Sequence, residues 1–222
     1  MKFYKIKKIV GVFITLILII LVFRIGLFII PTKGQKIINY KNPNSALLVI
    51  DIQEDLTGIK AKSPYPYKNS KSFIDNVNNL IDIATNEKYK VIYIRQEYKN
   101  NLIDMPLSRG MLIKGHSGTQ LDTRLKIVND NIFVKNQSDS FSNKELETYL
   151  ISNEINHLYV IGLDAKDCVY RTAKGGINRN YKVTAIQNGM MAIDMDKIAN
   201  VLEKYKKNNI PIISSSNFKN SK

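Results

Sequence analysis

The chain has 222 residues, one cysteine, no tryptophan and a formal net charge of +14. That length suits one ordinary domain plus an appendage, large enough to bury a core without disulfides, and a single cysteine excludes an intramolecular bridge. The charge does not mark a nucleic-acid surface. Residues 1–36 hold seven basic and no acidic residues, and the remaining 26 basic and 19 acidic residues are spread without a dense run, as on a solvated lysine-rich surface.

Residues 1–8 form a basic flank. Residues 9–30 then read IVGVFITLILIILVFRIGLFII, an apolar run of 22 residues broken only by Arg24. As a helix it would extend about 33 Å, enough to cross the hydrocarbon core of a bilayer. Arg24 lies near its far end, where its side chain can snorkel to the interface. Lysines 2, 5, 7 and 8 precede the run and Lys33, Lys36 and Lys41 follow it, so charge sets the orientation only weakly and leaves the side of the membrane open. A cleavable signal peptide is the main rival, but its apolar region is normally shorter and no A-x-A-like site follows. No polar face exists anywhere in the run, which argues against a buried core helix. The expectation is one N-terminal transmembrane helix, a single-pass membrane anchor, followed by a polar linker over 31–45.

From residue 46 onward, short apolar runs alternate with amphipathic stretches. The runs are ALLVID (46–51), KVIYIR (90–95), NIFVK (131–135), HLYVIG (157–162), YKVTAI (181–186) and IPIISS (210–215). Most are apolar on both faces, which suits strands covered on two sides. Helices are expected near 70–87, 143–153, 168–179 and 194–208, with Ser142 and Glu145 forming a capping box before the second. Strand alternating with helix predicts a Rossmann-like α/β domain over 46–222, a three-layer arrangement with a mostly parallel sheet of about six strands. The stretch 97–130 has no clear period and reads as a long functional excursion.

In such a sheet, ligands sit beyond the carboxyl ends of the strands. Three reactive side chains fall at such ends: Asp51 after the first run, Lys135 closing the third, and Cys168 after the fourth, at the start of a predicted helix. Each also has a bland reading. Asp51 alone could cap the next segment, Lys135 alone could be a surface lysine, and a free cysteine is commonly a small buried hydrophobe. Together they suit nucleophilic catalysis. A helix N-terminus and a lysine favour the thiolate, a carboxylate can take the thiol proton, and the turn GLDAKD (162–167) can aim N–H groups at an oxyanion.

The segments ALLVIDIQEDLTG (46–58), GHSGTQLDTRLKIVNDNIFVKNQSDSFSN (115–143) and VIGLDAKDCVYRTAKGGINRNYKV (160–183) resemble the isochorismatase-like cysteine hydrolases, in the family's order and spacing. The resemblance implies a Rossmann-like fold and an Asp–Lys–Cys triad, with Asp51 as general base, Lys135 as charge-stabilising partner and Cys168 as nucleophile. It also implies a cis peptide bond between Leu163 and Asp164, and an oxyanion hole made by the backbone N–H groups of Asp164 and Cys168. The implied activity is hydrolysis of a non-peptide C–N bond, an amide of a small molecule, through a thioester and without a cofactor. Family members often form dimers or tetramers, so the resemblance allows a homo-oligomer and leaves the oligomeric state open.

The departures bear on substrate. Nicotinamidase-type members hold a metal through an Asp-x-His motif after the second strand and further histidines. Here that position reads Gln96-Glu97-Tyr98, and a later histidine position holds Met111. The two histidines, His116 in a glycine turn and His157 entering a strand, do not complete a ligand set, so no metal site is expected. Asp164-Ala165-Lys166 stands where many members have a Thr-Asp pair. Isochorismatases proper cleave a vinyl ether and can lack the cysteine, so Cys168 argues against that chemistry. The alternative to an enzyme is a catalytically silent small-molecule-binding or sensing domain on the same scaffold.

Overall fold

The computed structural model describes residues 2–59, 61, 67, 70–102 and 104–219. Helix α1 (Lys2–Ile29) is followed by an irregular segment and then by strand β1 (Asn44–Ile50) and the short α2 (Glu54–Thr57). Next come α3 (Ser70–Asn86), β2 (Lys90–Gln96), α4 (Asp104–Ser108), β3 (Ile132–Lys135), α5 (Lys144–Ser152) and β4 (Ile155–Gly162). The chain ends with α6 (Cys168–Ile177), β5 (Lys182–Met190), α7 (Ile198–Lys207), β6 (Ile212–Ile213) and α8 (Ser215–Lys219). The six strands form one sheet in the order β3-β2-β1-β4-β5-β6, and all five pairings are parallel.

The apolar-on-both-faces reading of the strands holds residue by residue. Along β1, Ala46, Leu48 and Ile50 pack with Leu146, Val169 and Tyr205 of α5, α6 and α7. Leu47 and Val49 face the other way, against Ile74, Val77 and Ile81 on α3 and Phe218 on α8. Helices on both faces give the three layers that a parallel sheet requires.

Boundaries differ from expectation in physically specific ways. The cap of α5 is Asn143, whose carboxamide oxygen accepts from the N–H groups of Glu145 and Leu146; the Ser142 hydroxyl is buried without a hydrogen-bond partner among the described residues, so a simple cap one residue later replaces the expected capping box. The expected helix over 194–208 begins as a 3-10 turn at Met195–Lys197, and β6 shrinks to two residues. The excursion 97–130 contains α4 and a 3-10 turn at Ser117–Thr119, tied back by bridges Tyr98–Ile113 and Gln53–Leu121.

The N-terminal part shows two behaviours. From Ile9 to Phe23 the large apolar side chains of α1 are exposed. Side chains of α1 are described at 8–23, 25, 26, 28 and 29, and among the described residues no helix is long and apolar enough to cross a membrane. The irregular segment after α1, by contrast, is pinned to the domain. Asp139 accepts from Thr32 N (2.7 Å) and Thr32 Oγ1 (2.8 Å), and Gln35 N donates to Glu147 Oε1. The buried guanidinium of Arg179 donates to Glu147 (2.7 Å) and to the carbonyls of Thr32 and Gly175, and lies over the Phe141 ring. Arg179→Ala would strand Glu147 and two carbonyls, so it is expected to cost about 3 kcal/mol, the scale of losing charged hydrogen bonds in a partly buried site. Thermal unfolding checks it, with Tm expected to fall by about 6–12 °C.

Candidate active site

The sheet order places β1 and β4 side by side, with the chain running outward from them in both directions; the crevice beyond their carboxyl ends is where such sheets bind ligands. Asp51 follows β1 with φ of +57°, a left-handed conformation that aspartate tolerates better than most residues and that is common where a side chain must be aimed. Gly162 ends β4 at φ +119°. A Cβ there would run into the Ile50 carbonyl, so only glycine lets β4 close on β1 at this point.

Asp51, Lys135 and Cys168 come together. Lys135 Nζ lies 2.8 Å from Asp51 Oδ2, 2.7 Å from Gln96 Oε1 and 3.4 Å from Cys168 Sγ. These three contacts use all three ammonium donors. Lys135 stands on β3, two strands from Asp51, so only a long cationic side chain crossing above β2 reaches it. Gln96, which ends β2 directly opposite Lys135, steadies the crossing. Gln96 is itself fixed: its N–H donates to Gln53 Oε1 (2.8 Å), and Gln53 Nε2 donates to the carbonyls of Gln96 (3.0 Å) and Thr119 (2.8 Å). Sequence reasoning places Gln96 only at a metal position and gives Gln53 no role. The signal available is a fully apolar strand ending in a polar Asp-Ile-Gln.

Burial dominates the electrostatics. It pushes the Asp51 carboxyl above its ordinary range, with Lys135 opposing. The Lys135 ammonium is held in its charged form, above its ordinary value, because the attraction of Asp51 and the thiol outweighs desolvation. Cys168 is only partly exposed. Desolvation raises its thiol well above the usual value, and the attraction of Lys135 does not overcome desolvation together with Asp51 and Asp167. Of the opposing influences expected on the thiol, burial and the neighbouring carboxylates thus prevail over Lys135. Asp51 Oδ1 is buried with no hydrogen-bond partner among the described residues, leaving a lone pair for a proton.

Cys168 opens α6, so its own N–H lacks an intrahelical acceptor. The preceding Asp167 makes no capping bond; its carboxylate pairs with Arg171 instead. The turn between Gly162 and Cys168 is closed by Leu163 N to Ile50 O and Ala165 N to Met191 O. The Asp164 carboxylate takes the N–H groups of Lys166 and Ile193 and the Tyr67 hydroxyl. The expected cis bond between Leu163 and Asp164 is not found: no cis peptide occurs among the described residues. These bonds close the turn with trans geometry, which is cheaper by about 3–4 kcal/mol at a non-proline position.

A cavity of 160 Å³ holds Asp51, Cys168, Gln96, Tyr98, Met111 and Tyr67 in its wall. The three residues at the family's metal positions thus do line the site, and none offers an imidazole or carboxylate. Among the described residues no cluster of three or more His, Cys, Asp or Glu could hold a metal. His116 is exposed in its loop. His157 lies within β4 against Tyr159, its Nε2 on Thr184, and burial lowers it to about 4.

The sequence model of the isochorismatase domain matches residues 45–217. A probable inactive nicotinamidase of Arabidopsis thaliana is 27% identical over 173 residues, covering 72% of this chain and 87% of that protein. Among solved structures, an isochorismatase-like hydrolase from Alkaliphilus metalliredigens superposes with a TM-score of 0.70 at 18% identity, over 81% of this chain and 98% of its own. An N-carbamoylsarcosine amidase from Thermoplasma acidophilum gives 0.65 at 20% identity, over 78% and 96%. A nicotinamidase/pyrazinamidase from Bacillus subtilis gives 0.64 at 19%, over 76% and 98%. At these identities the structures share the fold.

Proposed function

The chain belongs to the isochorismatase family, and on that footing we propose that it is a cysteine hydrolase cleaving an amide-type C–N bond of a small molecule, held at a membrane by α1. One observation carries the chemistry: a buried lysine spends its three donors on a carboxylate, an amide and the chain's one thiol, beside a small cavity. That the superposed structures include an N-carbamoylsarcosine amidase and a nicotinamidase supports amide chemistry on this fold.

The reaction begins with a neutral thiol beside a carboxylate. As Sγ attacks the amide carbonyl carbon, Asp51 takes the thiol proton, so no free thiolate need accumulate in the buried site. The N–H of Cys168, which has no intrahelical acceptor at the start of α6, holds the developing oxyanion, such a donor being worth about 10²–10³ in rate. Lys135 stays charged throughout and balances Asp51 and the developing negative charge. Asp51 returns its proton to the leaving nitrogen as the C–N bond breaks, releasing ammonia or an amine and leaving a thioester on Cys168. Water deprotonated by Asp51 then attacks the thioester, and the acid departs as the thiol is restored. A silent binding domain is the second reading, and the name of the Arabidopsis relative, a probable inactive nicotinamidase, favours it.

The anchor rests on the 22-residue apolar run and on the exposure of its large apolar side chains from Ile9 to Phe23. The chain is expected to sediment with membranes and resist carbonate extraction; a soluble product lacking residues 1–30 would sink this part of the proposal. Because Gln96, Tyr98 and Met111 occupy the metal positions, turnover is expected to survive EDTA, and zinc or iron lost together with activity would contradict it. The direct test is ammonia release by the full chain in detergent from a panel of small primary amides. Turnover of at least one supports the enzyme, and binding without turnover supports the silent domain.

A further inference from the structure

The end of α1 does not leave the domain at an arbitrary place. Phe28 stacks on Tyr98, with ring centroids 5.8 Å apart, and Tyr98 is part of the wall that faces Cys168. The Phe28 carbonyl accepts from Ser138 N, just beyond the carboxyl end of β3, and the Ile29 carbonyl accepts from Arg171 of α6, the helix that Cys168 opens. The apolar helix therefore ends against the carboxyl edge of the sheet, at the lip of the catalytic cavity.

That lip exposes apolar side chains among the polar Lys99, Asn100 and Asn101. Leu102 is 96% exposed and Met105 41%, both on the segment that runs from Tyr98 to Ser108, two residues of the cavity wall. Ile193, itself in that wall, is 50% exposed. Beside it a second cleft of 670 Å³, which shares Asp164, Asp167 and Ile193 with the cavity, is lined by Lys166, Lys204 and the pairs Arg171–Asp167 and Lys197–Asp194. Exposed apolar side chains beside lysines, at the root of an apolar helix, suit a surface that rests against a bilayer.

We infer that the catalytic mouth lies on the membrane that α1 enters, and that the substrate is an amphipathic amide whose apolar chain stays in the bilayer while its amide head enters the cavity. This rests on the hydrolase and anchor readings above. Size supports it: 160 Å³ admits an amide head but falls short of the roughly 300–1,000 Å³ that encloses a larger ligand. The rest of a long molecule would extend past Ile193, over the adjoining 670 Å³ cleft and toward Leu102 and the lipid.

The chain has no tryptophan, so a single introduced one reports its own surroundings. The full chain carrying Leu102→Trp would be reconstituted in phosphatidylcholine/phosphatidylglycerol vesicles with brominated acyl chains. Its emission is expected to shift to the blue and be quenched at least threefold, whereas Ile127→Trp, at the opposite edge of the sheet before β3, is not quenched. Equal quenching of the two would overturn the orientation. Substrate class is read from the one thiol. N-dodecyl iodoacetamide is expected to alkylate Cys168 at least tenfold faster than iodoacetamide on the vesicles. Ile127→Cys in a Cys168→Ala background should show no such preference. A ratio near one at Cys168, or the same ratio at both cysteines, would overturn the amphipathic substrate. Alkylation needs no turnover, so failure of amide hydrolysis would not mimic either result. Vesicle flotation scores the anchor separately, and a chain that does not float defeats the anchor and this inference together.

Discussion

Cys168→Ala is expected to lower turnover of any amide the enzyme accepts by on the order of 10³-fold or more, the scale seen when a nucleophile acting as part of a unit is removed. No other thiol exists in the chain to replace it. The fold should persist, because Cys168 is only partly buried at the edge of the core and its loss removes a single sulfur. The wild-type pH profile carries a second signature. Turnover needs Asp51 ionised, and burial holds that carboxyl above the ordinary carboxylate range, so the acid limb of kcat/KM is expected above about pH 4. Activity falls as pH drops through that limb, because protonated Asp51 cannot accept the thiol proton. Asp51→Asn should cost about 10²–10⁴-fold and remove the limb. Steady-state kinetics across pH, with circular dichroism of each variant, check all of this.

Lys135→Ala is expected to damage both stability and activity. It leaves the Asp51 carboxylate, 4% exposed at its side chain, without a counterion, a loss of about 3–5 kcal/mol for a buried pair broken on one side. In a chain of this size that lowers Tm by roughly 6–20 °C. The double variant Asp51→Asn/Lys135→Ala should recover part of the stability, since no bare charge remains, yet none of the activity. Separate recovery of the two properties distinguishes an electrostatic partner from a mere packing residue. If the single variant melts with the wild type, the pair is not buried as described.

The layered fold was legible because burial on both faces writes itself into sequence: Ala46 to Ile50 is apolar at every position and each face meets a different helix layer. Asp51, Lys135 and Cys168 were legible as residues at strand ends, and the structure brings them within contact. What was illegible needed a third dimension. Gln53 and Gln96 look like ordinary polar residues after strands, and only the parallel pairing of β2 with β3 reveals that one amide braces the lysine. The Asn143 cap was missed by one position because Ser142 and Glu145 satisfy the same local pattern, and local pattern cannot tell which side chain the backbone turns inward. The thiol's elevation was also hidden, since spacing shows a nearby lysine but not the depth of burial that outweighs it. The clasp of Asp139, Arg179 and Glu147 on residues 32–35 joins segments more than a hundred positions apart, and nothing in a polar stretch announces such partners.

The covalent step is tested most directly by intact and peptide mass spectrometry of the full chain, quenched in acid during turnover of an amide it hydrolyses. The expected result is a mass gain equal to the acyl portion of the substrate, located on the peptide containing Cys168, absent from Cys168→Ala and removed by neutral hydroxylamine. Continued turnover by Cys168→Ala, with no acyl adduct on the wild-type protein at any quench time, would contradict it.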